Sequence, residues 1–245
     1  MSPSIPKPGS KPEQKLDPKL KELLSEMERF GIENDQRETD RKRKMLNLEP
    51  ETAALLHILV RATHRQSILE IGTSNGYSTI WLAHAMRSGT NGRLVSIERN
   101  PAKLEMARQN LQRAGLLNSV TLLEGEASDT VKTLEGPFDC VFFDADRTSA
   151  PKQLEIIMPK LEADVLLLAD NILSHPEEVA AYLSAVSGLA DFSSVTVPVG
   201  KGLNISYRRE IAGLTPRLLY PKSSCEVTAL SLASPKLVDK HRLKS

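Results

Sequence analysis

From Ile68 to Arg208 short apolar runs alternate with longer stretches in which apolar residues recur every three or four positions. The runs near 68–72, 93–98, 119–124, 138–144 and 165–170 predict strands, and the stretches near 76–88, 101–115, 126–134, 150–161 and 176–188 predict helices between them. That alternation predicts a doubly wound, Rossmann-like α/β sheet. The runs ending at Asp144 and Asp170 are apolar almost throughout rather than at every second residue. Strands of that kind are covered on both faces, as in a parallel sheet. Two further runs, Ser193 to Val197 and Asn204 to Arg208, flank Gly200-Lys201-Gly202 and predict an antiparallel hairpin at one edge, which brings the sheet to seven strands.

Ahead of the core, residues 1–15 carry Pro3, Pro6, Pro8 and Pro12 among Ser and Lys, and are expected to be a disordered N-terminal tail because little apolar surface offsets the entropy of ordering. Residues 16–66 read as accessory helices. Asp17-Pro18 gives an N-cap and a first-turn proline, Leu20, Leu23, Leu24, Met27 and Phe30 mark one face, and Gly31 is the expected stop. A second helix is expected from Pro50, burying Leu55, Leu56, Leu59 and Val60. The core domain is drawn at 67–210, and 211–245, with scattered Pro, Ser and Lys, as a loosely attached C-terminal tail.

Composition narrows the class of protein. A chain of 245 residues, 40% hydrophobic and 26% charged, can bury one sizeable core. No run is long and apolar enough to cross a membrane, and the first fifteen residues lack the apolar core of a signal peptide, so a cytoplasmic protein is expected. Cys140 in a buried strand and Cys225 in the tail do not make a disulfide framework. A net charge of +1 gives no global reason to bind nucleic acid. Arg37, Arg41, Lys42, Arg43 and Lys44 form a local basic run, read first as a solvated helix face and second as a patch steering an RNA or an acidic substrate.

Chemistry gathers at the strand ends. If the two apolar runs are neighbours, about 5 Å apart, Asp144, Asp170 and the amide oxygen of Asn171 converge at the carboxyl edge of the sheet, where open α/β folds place ligands. Three hard oxygen donors there suggest Mg²⁺ or another divalent cation; a single acid at a strand end is otherwise a helix cap or turn residue. Upstream, Ser67 to Glu70 run through Ile71 into the turn Gly72-Thr73-Ser74-Asn75-Gly76 and then Tyr77-Ser78, the pattern of a nucleotide-binding edge. Glu98 ends the next strand and is a candidate ribose clamp, with a solvated pair to Arg99 as the alternative.

Together these residues resemble the cation-dependent class I O-methyltransferases, the catechol and caffeoyl-CoA O-methyltransferase family with its bacterial branch, over roughly 45–208. By that resemblance Glu70, Gly72, Thr73, Ser74, Gly76, Tyr77 and Ser78 belong to the S-adenosylmethionine loop. Glu98 matches the ribose acid, Ala127 in Glu124-Gly125-Glu126-Ala127 the adenine flank, and Leu46 to Leu48 the methionine end of the cofactor. Asp144-Ala145-Asp146 and Asp170-Asn171 match the family's metal-binding elements, Asp144 also bordering the cofactor, and Pro198 to Leu203 its last turn.

The chain departs from the family at Arg147, where plant and animal members carry a lysine assigned as general base. A guanidinium stays protonated at neutral pH and cannot take that role. Arg147 is left to orient an anionic substrate or stabilise a developing phenolate, or else to cap the following helix. His175, four residues past Asn171, is the remaining candidate base or substrate contact, with helix capping as the equal alternative. His57, His64 and His84 read as packing or surface residues, Trp81 as core packing or part of the shell on the adenine side, and Tyr77 as a shield for the cofactor.

The resemblance implies methyl transfer from S-adenosylmethionine to a metal-bound hydroxyl of a small aromatic, catechol-like acceptor, in a homodimer. A hydroxylated uridine of tRNA is the less favoured acceptor. A non-catalytic S-adenosylmethionine-binding regulator and a nucleotide-dependent oxidoreductase are the competing classes; the retained acids oppose the first and the Gly-x-x-x-Gly turn the second.

Overall fold

The computed structural model describes residues 16–86 and 92–209. Strands β1 (Ser67–Ile71), β2 (Arg93–Glu98), β3 (Val120–Glu124), β4 (Phe138–Phe143), β5 (Leu161–Ala169), β6 (Phe192–Val197) and β7 (Leu203–Arg208) form one seven-stranded sheet in the order β3-β2-β1-β4-β5-β7-β6. The first five run parallel, and β7 pairs antiparallel with both β5 and β6. The expected hairpin is therefore present, with β6 at the edge and β7 inside.

Helices α1 (Pro18–Arg37), α2 (Pro50–Ala62), α3 (Tyr77–Met86), α4 (Pro101–Arg113), α5 (Ala127–Thr133), α6 (Ala150–Ile157) and α7 (Pro176–Ser187) cover the two faces. Ile68, Phe142 and Leu168 point to one core with Leu20, Leu56 and Ile80. Their strand neighbours Leu69, Val141 and Leu167 point to the other, with Val131, Leu154 and Tyr182. A strand feeding two cores has no position for a polar side chain to reach water, which is why these runs do not alternate.

Strand order reverses between β1 and β4, and the carboxyl ends of β1, β4 and β5 finish level, with Ile71 opposite Phe143 and Phe143 opposite Ala169. The residues that follow, Gly72, Asp144 and Asp170, thus emerge side by side at the switch point, where ligand crevices form.

Two boundaries differ from the pattern. Gly31 does not stop α1; it is buried within the helix, and a side chain there would meet Asn47 Nδ2 at 2.6 Å. The glycine lets the segment after α1 pack against the helix, since Asn47 Nδ2 donates to the Met27 carbonyl at 3.1 Å. A mid-helix glycine costs about 1 kcal/mol relative to alanine, and α1 runs on to Arg37, leaving Phe30 exposed. The helix expected over 150–161 ends at Ile157; Pro159 sits in a 3-10 turn and β5 begins at Leu161. Two arginines extend that strand through its polar start. Arg65 donates to the Asp164 carbonyl and carboxylate at 2.9 and 2.7 Å, and Arg208 to the carbonyls of Ala163 and Glu162 at 3.2 and 2.5 Å.

Asp17 caps α1 by accepting from Lys19 N at 2.9 Å, and Asn100 caps α4 by accepting from Ala102 N at 3.0 Å. His57 packs against Trp81 and bonds His84 at 3.0 Å; His64 is exposed. No described helix is long and apolar enough to cross a membrane. Both tails, residues 87–88 and Cys225 lie outside the described residues.

Candidate functional site

A cavity of about 1360 Å³ opens at the carboxyl edge of the sheet. Ordinary single-ligand pockets hold about 300–1000 Å³, so this one has room for two molecules. Leu46, Leu48, Gly72, Thr73, Ser74, Tyr77, Ser78, Glu98 and Ala127 line it, as do Asp144, Arg147, Asp170, Asn171 and His175. Glu70 and Gly76, the remaining candidates, stand behind the wall.

The glycine turn explains that division. Gly72, at φ 109, approaches the Asp144 carbonyl so closely that a Cβ would collide with it, so the β1 and β4 ends can lie side by side. Gly76 faces α4, where a Cβ would lie 3.1 Å from Ala107. Glu70 is fully buried under the turn and accepts hydroxyl bonds from Ser78, Thr79 and Ser96 at 2.5, 2.6 and 2.6 Å. Burial raises its pKa and the three hydroxyls partly oppose this. Glu70 therefore shapes the loop and touches no ligand space; Tyr77 likewise turns its hydroxyl away, to Glu28 Oε1 at 2.9 Å.

Glu98 is held from both sides. Its Oε2 accepts from Ser74 N and its Oε1 from Asn100 N, each at 2.9 Å. A carboxylate offers about four lone-pair positions, so one remains on each oxygen, the arrangement a vicinal diol satisfies with two donated hydroxyls.

A strap of residues 42–47 borders the cavity. Asn100 Nδ2, Asn34 Nδ2, Lys103 Nζ and Ser74 Oγ donate to the carbonyls of Lys42, Arg43, Lys44 and Met45 at 3.3, 3.1, 2.5 and 2.7 Å. Asp35 takes the amides of Met45 and Leu46 at 2.6 and 2.8 Å and holds Leu46 at φ 52. Burial lowers the pKa of Lys103. The basic run is partly absorbed here, with Arg41, Lys42 and Lys44 on the cavity wall.

At the other end Asp144, Asp170 and Asn171 meet. Asn171 sits at φ 66, which turns its amide onto both acids, at 2.7 Å from Asp170 Oδ2 and 3.4 Å from Asp144 Oδ1. Asp170 Oδ1 is buried without a hydrogen-bond partner among the described residues. Burial, then the charge of Asp170, holds the Asp144 carboxyl well above the ordinary carboxylate range, and burial does the same to Asp170. Two adjacent desolvated acids and an orphaned oxygen fit a hard divalent cation, toward which the Asn171 amide can present its oxygen by a flip. No cluster of three His, Cys, Asp or Glu side chains suited to a metal occurs among the described residues, so such an ion would draw its other ligands from water or substrate. Asp146 is spent within its own loop, accepting from Thr148 and Ser149 hydroxyls at 2.9 and 2.6 Å.

Arg147 does not cap a helix; its Nε donates to Glu178 Oε2 on α7 at 2.9 Å. His175 Nδ1 lies 2.8 Å from Ser174 Oγ. Lys103, Glu178, Gln153 and Lys201, none of them a candidate from the sequence pattern, also line the cavity. For Lys201 a signal existed, its place between two glycines in the hairpin turn; the others sit on helices, where spacing alone shows no function.

The family model described as O-methyltransferase matches residues 19–185, more than half of the 245-residue chain. A catechol O-methyltransferase of Mycobacterium tuberculosis is 40% identical over 119 residues, 48% of this chain and 53% of that protein. A second, from Niastella koreensis, is 34% identical over 132 residues, 52% and 59% of the two chains. The chain thus spans little more than half the length of these relatives. Among solved structures, cofactor-bound Rv0187 from MTB superposes with a TM-score of 0.65 at 30% identity, covering 80% of this chain and 91% of that one. The O-methyltransferase TomG of Streptomyces achromogenes, in complex with SAM, gives 0.65 at 26% identity over 79% and 91%. Matched along its accessory helices and most of its core, the chain belongs to the O-methyltransferase family.

Proposed function

We propose that the protein transfers a methyl group from S-adenosylmethionine to one hydroxyl of a small, catechol-like aromatic, with Mg²⁺ or a similar divalent cation at Asp144, Asp170 and Asn171. The observation that carries this reading is one cavity with two ends. At one end Glu98 keeps two lone pairs free for a ribose diol, and at the other two buried acids meet with no direct ion pair among the described residues and one oxygen left without a hydrogen bond. Support comes from the relatives named as catechol O-methyltransferases and from the neighbours solved with cofactor or SAM.

In this reading Glu98 orients the ribose and Ala127 borders the adenine. The strap around Leu46 and Leu48 excludes water from the methionine end. A cation at the diacid centre, when bound, supplies Lewis acidity that lowers the pKa of an acceptor hydroxyl. Thr73 Oγ1 and Ser96 Oγ, 2.5 Å apart, tie the turn to Glu70 and hold its register beneath the cofactor. Arg147, fixed by Glu178, positions the acceptor without exchanging protons, and His175 borders the same space. Homodimeric assembly and a cytoplasmic location belong to the same proposal.

The tRNA reading keeps one observation in its favour, the cations Arg41, Lys42 and Lys44 at the cavity wall. A methyl-transfer screen with S-adenosylmethionine, over catechols and over unmodified and hydroxylated tRNA, with Mg²⁺ and with chelator, tests both. Transfer to catechols that stops in chelator is expected; transfer to tRNA alone, or undiminished transfer in chelator, refutes the proposal.

A further inference from the structure

The acceptor end of the cavity holds more hydrogen-bond donors than the protein itself uses. Arg147 has only 12% of its side chain exposed, and its one ion pair among the described residues is through Nε to Glu178. Neither terminal nitrogen has a hydrogen-bond partner among the described residues, and neither is among the fully enclosed orphaned atoms. Each nitrogen therefore keeps some exposed surface, and Arg147 lines the cavity together with Asp170 and Asn171. Glu178 holds the guanidinium in place, which leaves its outer edge as a preset fork.

A second cation stands on the same wall. Lys201, in the β6–β7 turn, pairs with Glu49 Oε1 at 2.7 Å, remains 46% exposed, and contributes to the electrostatics of both Asp144 and Asp170. Each cation has one acid of its own, Glu178 and Glu49, and Asp146 is saturated by Thr148 and Ser149. The unmatched donors are thus those of the Arg147 fork, with a lysine ammonium close by. Planar guanidinium forks match the two in-plane oxygens of a carboxylate, where an ammonium acts only as a point charge.

We infer that Arg147, supported by Lys201, is a specificity-determining residue, and that the acceptor is a vicinal dihydroxy aromatic carrying a carboxylate on its ring. The inference rests on the methyltransferase reading above and adds the charge class of the substrate. The fork would hold the carboxylate while the hydroxyls face the diacid centre, so binding energy from a group that does not react sets the orientation of the ring.

The test compares 3,4-dihydroxybenzoate with its neutral isostere 3,4-dihydroxybenzamide and with catechol, using the full chain with S-adenosylmethionine and Mg²⁺. Parent kcat/KM is expected to favour the carboxylate over the amide by about tenfold or more, mostly through KM. Arg147→Gln should bring that ratio near one, Arg147→Lys should keep part of it, and Lys201→Gln should reduce it. Calorimetry of the same two acceptors, with S-adenosylhomocysteine and Mg²⁺ present, should give the same order of affinities independently of turnover. A parent that methylates catechol but binds acid and amide alike overturns this inference alone. So does an Arg147→Gln protein that binds S-adenosylhomocysteine poorly yet keeps the acceptor preference, since the fork then serves the cofactor. No transfer to catechol or to either derivative overturns the proposed function itself.

Discussion

Replacing Glu98 by glutamine changes one oxygen to an amino group and little else, yet the local geometry makes it costly. Both carboxylate oxygens already accept a backbone N–H, from Ser74 and from Asn100. A glutamine can accept at only one of them, and its amino group then faces the other N–H donor to donor. One charge-assisted bond is lost on the cofactor side as well, because the ribose diol needs an acceptor on each oxygen. A hydrogen bond to a charged group contributes about 1.5–3 kcal/mol, which corresponds to a roughly 10- to 150-fold rise in the Kd for S-adenosylmethionine. The backbone loss is partly relieved by water and should cost about 1–2 kcal/mol of stability, or roughly 2–8 °C in Tm for a chain of this size. Calorimetric titration of S-adenosylmethionine and a thermal melt of the free protein measure the two separately. A folded Glu98→Gln protein with parental affinity would refute the assignment of Glu98 to the ribose, and a parental Tm would refute the two-sided clamp.

Other consequences follow from the same structure. Unfolded aspartates titrate near about pH 4, whereas burial keeps Asp144 and Asp170 protonated to higher pH; the chelated protein should lose stability as pH rises through that range. Asp170→Asn should then melt a few degrees above the parent at about pH 8 in chelator, lose the stabilisation that Mg²⁺ gives the parent, and abolish transfer while keeping cofactor affinity; a variant that melts lower or still responds to Mg²⁺ counts against the cation site. Glu70→Ala strands three hydroxyls in a void and should cost about 3–5 kcal/mol by urea unfolding, with Glu70→Gln much milder; a cost of under about 1 kcal/mol in the alanine variant would show the network is dispensable. Lys103→Met removes one tie on the strap at the Lys44 carbonyl and should speed S-adenosylmethionine release in stopped flow by about tenfold, an unchanged off-rate ruling out the strap as a barrier.

Local features were legible where the cause is local. The N-cap Asp17, the strands that end in Glu98, Asp144 and Asp170, and the Gly72 turn each depend on a few adjacent residues. The sequence by itself thus determined the α/β class, the acids at the strand ends and the edge hairpin. Tertiary structure decided which of these residues meet. Strand order 3-2-1-4-5 sets Gly72 against Asp144 across 72 positions of chain, since 144 − 72 = 72, and no short-range periodicity encodes such a pairing. It also moved residues between roles. Glu70 and Gly76 belong to the turn motif but point into packing, while Lys103 and Glu178, unremarked in their own segments, and Lys201, read only as part of a turn, reach the cavity wall. Gly31 reads as a helix stop until Asn47 packs against it, and the polar start of β5 reads as loop until Arg65 and Arg208 take its carbonyls. In each case a long-range contact outweighed a local preference worth about 1 kcal/mol, and the information for that contact is spread over the whole chain.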